Sequence, residues 1–197
     1  MAHTTRLLFV AGSARAGSYN KRLARLGAEI ANANGIHSAF ADLGHYPMPL
    51  YDGDLETAES PPENSRKLKA LFEVHHGISP EYIASIPPLL KNAVDWVSRI
   101  RDRDEPPLAV YKTRVFAIGS ASPGMYGGSR GLTVLRQTLE IGTGALVLPD
   151  QFSVSRADKA FAENGHLSDK KSMELYKSTI EKLARAALIM RGEFARS

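Results

Sequence analysis

Residues 6–20 read RLLFVAGSARAGSYN: an apolar run that breaks into a small, hydroxyl-rich loop and passes straight into a helical pattern. A strand–loop–helix start constrains the fold because it puts backbone N–H groups and the positive end of a helix at one point, a ready anion site. Gly12 and Gly17 supply backbone freedom, Ser13 and Ser18 hydroxyls, Asn20 an amide, and Arg15 the only full positive charge in the loop. The ligand chemistry that matches this set is a phosphate monoester. An ordinary βα turn with polar capping residues has the same spacing, so the residues of this loop alone leave both readings open.

Two other phosphate loops are excluded. A Walker loop needs Lys and then Ser or Thr after its second glycine, but Gly17 is followed by Ser18 and Tyr19. A dinucleotide fingerprint needs G-x-G-x-x-G, and Ala14 stands where its second glycine would be.

The rest of the chain alternates in type. Strand patterns fall at residues 7–11, 37–43, 114–120 and 145–148, and helical periodicity at 21–34, 61–75, 87–100, 129–141 and 168–190. Residues 44–60 and 150–165 read as polar connections. Between the helix ending near His75 and the loop at Pro80, only residues 76–79 remain for a third strand, fewer than the usual five or so. Either residues 72–75 unwind into extended chain or the strand is truncated. Strands and helices alternating in this way predict an α/β fold with helices on both faces of a parallel sheet. The choice is a flavodoxin-like, doubly wound, five-stranded sheet of order 2-1-3-4-5, as a single domain over residues 1–197.

Composition narrows the function. With 43% hydrophobic residues among 197 the chain can bury a core, and no run of about 18 apolar residues predicts a membrane span. The start MAHTTR has no apolar signal region, which favours the cytoplasm. Cysteine is absent, which removes disulfides, thiolate nucleophiles and Cys-based metal sites, so any redox chemistry must reside in a bound cofactor. The net charge of +4 suits phosphate-bearing small molecules, and no basic cluster with interleaved aromatics predicts a nucleic-acid face. No His/Asp/Glu pair has metal-ligand spacing, so no metal is expected. His75 and His76, ending a helix, read as surface residues.

Three sequence-remote loops leave the carboxyl edge of such a sheet, where ligands sit. Residues 12–20 offer phosphate ligands, residues 79–85 (SPEYIAS) offer the Tyr82 ring and backbone amides, and residues 120–128 offer glycines and Tyr126. A phosphorylated planar heterocycle satisfies all three.

These loops carry a resemblance. GSARAGSYN is similar to a GSxRxxSxN phosphate loop, SPEYIASIPPLLKNAVDWVSR to PEYNxSIPGxLKNAxDW, and YGGSRGLTVLRQTLEIGTGALVLPDQ to GGxRGxxxLRQxL. Together they resemble the NADPH-dependent FMN reductase family, flavin, quinone, azo and chromate reductases of flavodoxin-like fold, over residues 6 to about 150. The resemblance implies that Ser13, Arg15, Ser18, Tyr19 and Asn20 hold the FMN phosphate and ribityl end. It implies that Pro80, Glu81, Tyr82 and Ser85 line the isoalloxazine ring, and that Ser120, Gly124, Tyr126 and Gly127 close the other side. It also implies a homodimer or homotetramer through the helix from Leu90 to Trp96, although a packed helix with a paired acid accounts equally for Asp95 and Trp96.

The implied activity passes hydride from NADPH or NADH to FMN and on to a quinone, free flavin or similar small-molecule acceptor, with cofactor-borne chemistry and no side-chain catalyst. Two departures stand out: Ile83 replaces the family's Asn, and the third strand is about three residues short. They motivate a flavin-free homologue as one alternative. A flavodoxin-type electron carrier is another, against which the basic charge argues.

Overall fold

In the computed structural model the described residues are 5–74, 76–78 and 85–194. The first strand, β1 (Arg6–Ala11), leads through the loop into α1 (Tyr19–Ala33), and β2 (His37–Asp42) follows. A 3-10 turn (Leu43–His45), α2 (Gly53–Glu59) and α3 (Glu63–Val74) precede the described part of β3 (His76–Ile78). Then come α4 (Pro88–Arg99), α5 (Ala109–Lys112), β4 (Val115–Ala121) and α6 (Ser129–Gln137). A π-helical turn (Thr138–Gly142), β5 (Leu146–Val154), α7 (Ala157–Ala160) and α8 (Lys170–Phe194) complete the chain.

All strand pairings are parallel, in the order β2-β1-β3-β4-β5. β1 pairs with β2 over its whole length, from Arg6↔His37 to Ala11↔Asp42. Among the described residues Gly77↔Phe116 is the register pair that joins β3 to β4, between the longer-paired groups β2-β1-β3 and β4-β5. Residues 72–74 do not unwind into extended chain, since α3 stays helical through Val74. His75 lies outside the described residues.

Alternation in β1 sends side chains to two separate cores. Leu7, Phe9 and Ala11 face a cluster that includes Leu26, Ile30, Phe152, Tyr176 and Leu183 under α1 and α8. Leu8 and Val10 face a second cluster that includes Leu68, Leu90, Val97 and Leu132 under α3, α4 and α6. Helices thus cover both faces, as expected of an α/β layer. Tyr176 fastens α8 to α1 by donating from its hydroxyl to the Leu23 carbonyl at 2.9 Å while stacking on Phe152, and burial pushes its pKa up.

Two stretches read as loop carry structure. α2 lies within residues 44–60, capped by Asp52 accepting from the Asp54 N–H, and none of its residues is buried. β5 runs six residues past Leu148 because the ladder slips between Phe116 and Ile118: Val147 pairs with Phe116, but the next partner of β4 is Gln151. Pro149 falls in that irregularity on an edge strand, where its missing N–H costs no ladder bond.

Candidate functional site

Loop 12–18 begins where β1 ends. Gly12 is needed for close approach: a Cβ there would sit 2.9 Å from the Leu90 Cβ and 3.3 Å from the Pro87 Cγ, so only glycine lets the strand end abut the start of α4. Ser13 and Ser18 are buried at the feet of the loop, whereas residues 14–17 stand exposed at its crest. Ser18 caps α1, its hydroxyl accepting from the Lys21 N–H at 3.4 Å, and Ser13 Oγ accepts from the Arg15 N–H at 3.3 Å. The first turn of the 15-residue α1 contains no acidic side chain to repel an anion. A Cβ on Gly17 would meet nothing within 4 Å, and its φ lies outside the left-handed region, so it marks open space rather than a forced turn.

Tyr19 and Asn20 are engaged within the protein. Tyr19 stacks on Phe161 with ring centroids 6.5 Å apart. Asn20 Oδ1 accepts the Ala121 N–H at 2.8 Å, tying the first turn of α1 to the end of β4. That bond spans 101 residues of sequence and holds two of the expected loops side by side.

The turn after β4 is closed. Ser120 is fully buried; its hydroxyl donates to the Gly127 carbonyl at 2.8 Å and lies 3.3 Å from Ser153 Oγ. Gly124 accepts at its carbonyl from the Gly127 and Arg156 N–H groups. Gly127 has φ +60, and a Cβ there would lie 2.7 Å from the Ser155 nitrogen and 2.8 Å from the Val154 carbonyl carbon. From this rigid turn Tyr126 projects into solvent, 56% exposed, with the Arg130 guanidinium 4.9 Å above its ring.

Of the middle loop, Pro80, Glu81, Tyr82 and Ile83 lie outside the described residues. Ser85 is half-buried and leads through Ile86 and Pro87 into α4. Within α4, Asn92 and Trp96 serve their own chain. Asn92 accepts the Tyr51 N–H at 2.8 Å and donates to the Pro49 carbonyl at 2.9 Å, while the Trp96 indole donates to the same carbonyl at 2.8 Å. Asp95 pairs with Lys91 at 2.7 Å.

Two features escaped the sequence because each joins residues far apart in the chain. Lys21, buried beneath the loop, donates to the Ala14 carbonyl at 3.4 Å and pairs with Asp42 Oδ2 at 2.8 Å. Beside them opens a cleft of about 380 Å³ that Ala16 and His45 also line. Elsewhere, Glu73, Asp102 and Glu105 converge closely enough to suggest a cation site, but Lys69 Nζ already lies 2.6–2.9 Å from each carboxylate. Burial lowers the Lys69 pKa, but hydrogen bonds to the three carboxylates outweigh it and hold the ammonium above its ordinary value.

A parallel layer covered on both faces, with an open anion-type loop at its carboxyl edge, defines an α/β protein of flavodoxin-like class. Solved structures agree on the fold. The flavoenzyme NAD(P)H:(acceptor) oxidoreductase FerB from Paracoccus denitrificans superposes with a TM-score of 0.73 at 23% identity, covering 92% of this chain and 96% of its own. A Streptococcus flavodoxin does so at 0.53 with 10% identity, over 93% and 99%. The chain belongs to the NADPH-dependent FMN reductase family, whose model matches residues 5–159. It is 31% identical over 185 residues to an NAD(P)H-dependent FMN reductase of Pseudomonas aeruginosa, covering 93% of this chain and 95% of the relative. It is 34% identical over 142 residues to a quinone reductase of Escherichia coli, covering 71% of each.

Proposed function

We propose that this chain is an NAD(P)H-dependent, FMN-containing oxidoreductase that reduces a quinone, free flavin or similar small acceptor. The observation that carries the reading is the loop at 12–18: open at its crest, free of acidic residues in the following helical turn, and tied by Asn20 to the end of β4. These features fit a phosphate on the loop and a planar group reaching along the sheet edge. FMN supplies the hydride-accepting centre. The protein's task is to bind, orient and exclude water.

In this reading Arg15, Ser13, Ser18 and the loop N–H groups hold the phosphate, while Tyr19 and Asn20 shape the ribityl end from their packed positions. Pro80, Glu81, Tyr82 and Ser85 line one side of the ring; Gly124 and Tyr126 line the other, on a turn that Ser120 and Gly127 keep rigid. No side chain is assigned a catalytic proton transfer.

We further read the chain as one domain over residues 1–197, with its two strand groups forming a continuous doubly wound sheet of order 2-1-3-4-5. We read it as a homodimer or homotetramer through the helix from Leu90 to Trp96. Asn92 and Trp96 face inward there, so the contact falls to Lys91 and Asp95, which line a cleft of about 740 Å³. Among the described residues no helix is long and apolar enough to cross a membrane. We read its setting as cytoplasmic.

The test is NADPH consumption by the FMN-loaded protein with menadione as acceptor. Turnover is expected. Bound flavin without NADPH consumption would make the chain an electron carrier, and protein that stays colourless in excess FMN would make it a flavin-free homologue.

A further inference from the structure

Lys21 occupies an unusual place for a lysine in the first turns of a helix. Its side chain is 6% exposed, as is that of its partner Asp42, and the pair forms part of the wall of the cleft beside the loop. Asp42 is itself held on both oxygens: Oδ2 pairs with Lys21 Nζ at 2.8 Å, and Oδ1 accepts the Gly44 N–H at 3.0 Å, capping the turn after β2. The carboxylate therefore cannot turn away without losing a cap. It fixes the ammonium, which in turn donates to the Ala14 carbonyl at 3.4 Å.

A peptide group is planar, with its N–H and C=O pointing in opposite directions. The peptide between Ala14 and Arg15 is gripped at both ends: its carbonyl by Lys21, its N–H by Ser13 Oγ at 3.3 Å. A carbonyl oxygen turned toward the crest would set negative charge against any anion there. Lys21 takes that oxygen out of play. Because the ammonium is neutralised by Asp42, it brings little net charge of its own, and its contribution is orientation.

Resting on the reading that loop 12–18 receives the FMN phosphate, we infer that Lys21, fixed by Asp42, is a positioning residue that holds the Ala14 carbonyl away from the anion without touching the anion. The sequence separates the two partners by 21 positions, and the full-length pairing of β1 with β2 brings them together.

The experiment compares flavin titrations of full-length apoprotein with FMN and with riboflavin, which lacks the phosphate. The ratio Kd(riboflavin)/Kd(FMN) isolates the loop from everything that touches the ring, and a general loss of stability leaves it unmoved. The variants are Asp42→Asn and the double variant Lys21→Met/Asp42→Asn. The latter removes both buried charges together, so neither is stranded, and keeps an Asn side-chain oxygen to cap Gly44. The ratio should fall about tenfold in the double variant, the scale of one charge-assisted hydrogen bond, and fall also in Asp42→Asn. A double variant that keeps the wild-type ratio overturns the inference. A ratio that rises in Asp42→Asn also overturns it, because a freed Lys21 would then be a direct phosphate ligand. Should the double variant not fold, Asp42→Asn alone decides by the same reading. A wild-type ratio near one would instead sink the phosphate assignment beneath it, a distinct result visible before any variant is made.

Discussion

Between Gly12 and Ser18 the chain buries its two feet and leaves its crest in solvent; between Ser122 and Gly128 the crest at residues 123–126 is exposed as well, but Ser122, Gly124 and Gly127 are fastened against residues 154–157 at the end of β5. A Cβ on Gly17 would meet open space; one on Gly127 would strike the backbone of Val154 and Ser155. The first loop spends its hydroxyls on its own ends and leaves residues 14–17, Arg15 among them, exposed. The second spends Ser120 and Gly124 on closing itself and presents one ring, Tyr126. An anion is bound by backbone donors that must remain open, whereas a flat ring is bound by a wall that must not move. Asn20 joins the two, so the receptive turn and the rigid one keep a fixed relation.

The contrast is most easily broken at Gly127. Gly127→Ala combines a left-handed φ with contacts under 3 Å and should cost about 2–4 kcal/mol of stability by thermal or urea unfolding. Gly17→Ala should stay within about 0.5 kcal/mol, and equal losses at both sites would erase the distinction. Next in size, Arg15→Ala should weaken FMN binding by about 1.5–3 kcal/mol while leaving the melting temperature unchanged, because the side chain is exposed. An unaltered flavin titration would mean that the crest does not hold the phosphate. Asn20→Ala strands the Ala121 N–H and should cost about 1–3 kcal/mol of stability, with a parallel loss of FMN affinity as the two turns come apart. Retained affinity would show that each turn binds independently.

The smallest effect lies away from the edge. The hydrogen bond from Lys69, aided by its charge, lowers the pKa of Asp102 below 3.8. A depressed carboxyl contributes stability above its unfolded value and loses it as pH falls through its folded value. The difference in unfolding stability between wild type and Asp102→Asn should thus be constant at neutral pH and shrink below pH 3.8. A difference that persists at lower pH would assign the effect to packing.

The β1–loop–α1 unit was legible because everything that defines it is local: an apolar run, small residues, and Ser18 as cap at the head of a strongly one-sided helix. The helix at 88–99 was legible for the same reason, with prolines at its start and apolar residues at helical spacing. α2 was not, since none of its residues is buried and it therefore carries no hydrophobic period. The far half of β5 was hidden by Pro149 and Asp150, which read as a strand end until the ladder's irregularity gives them a place. At the site, the loop residues could be named, but their division of labour could not. Asn20 as a tie to Ala121, Ser120 as a latch on Gly127, and Lys21 beneath Ala14 each depend on a partner that only the assembled sheet brings near.

The account rests on the open turn at 12–18 receiving the phosphate of FMN, and a crystal structure of the FMN-loaded protein tests it most directly. The account predicts phosphate density at the crest within hydrogen-bond reach of Arg15 and the loop N–H groups, with the ring extending toward Tyr126. Phosphate density elsewhere, with residues 14–17 still bare, would contradict it.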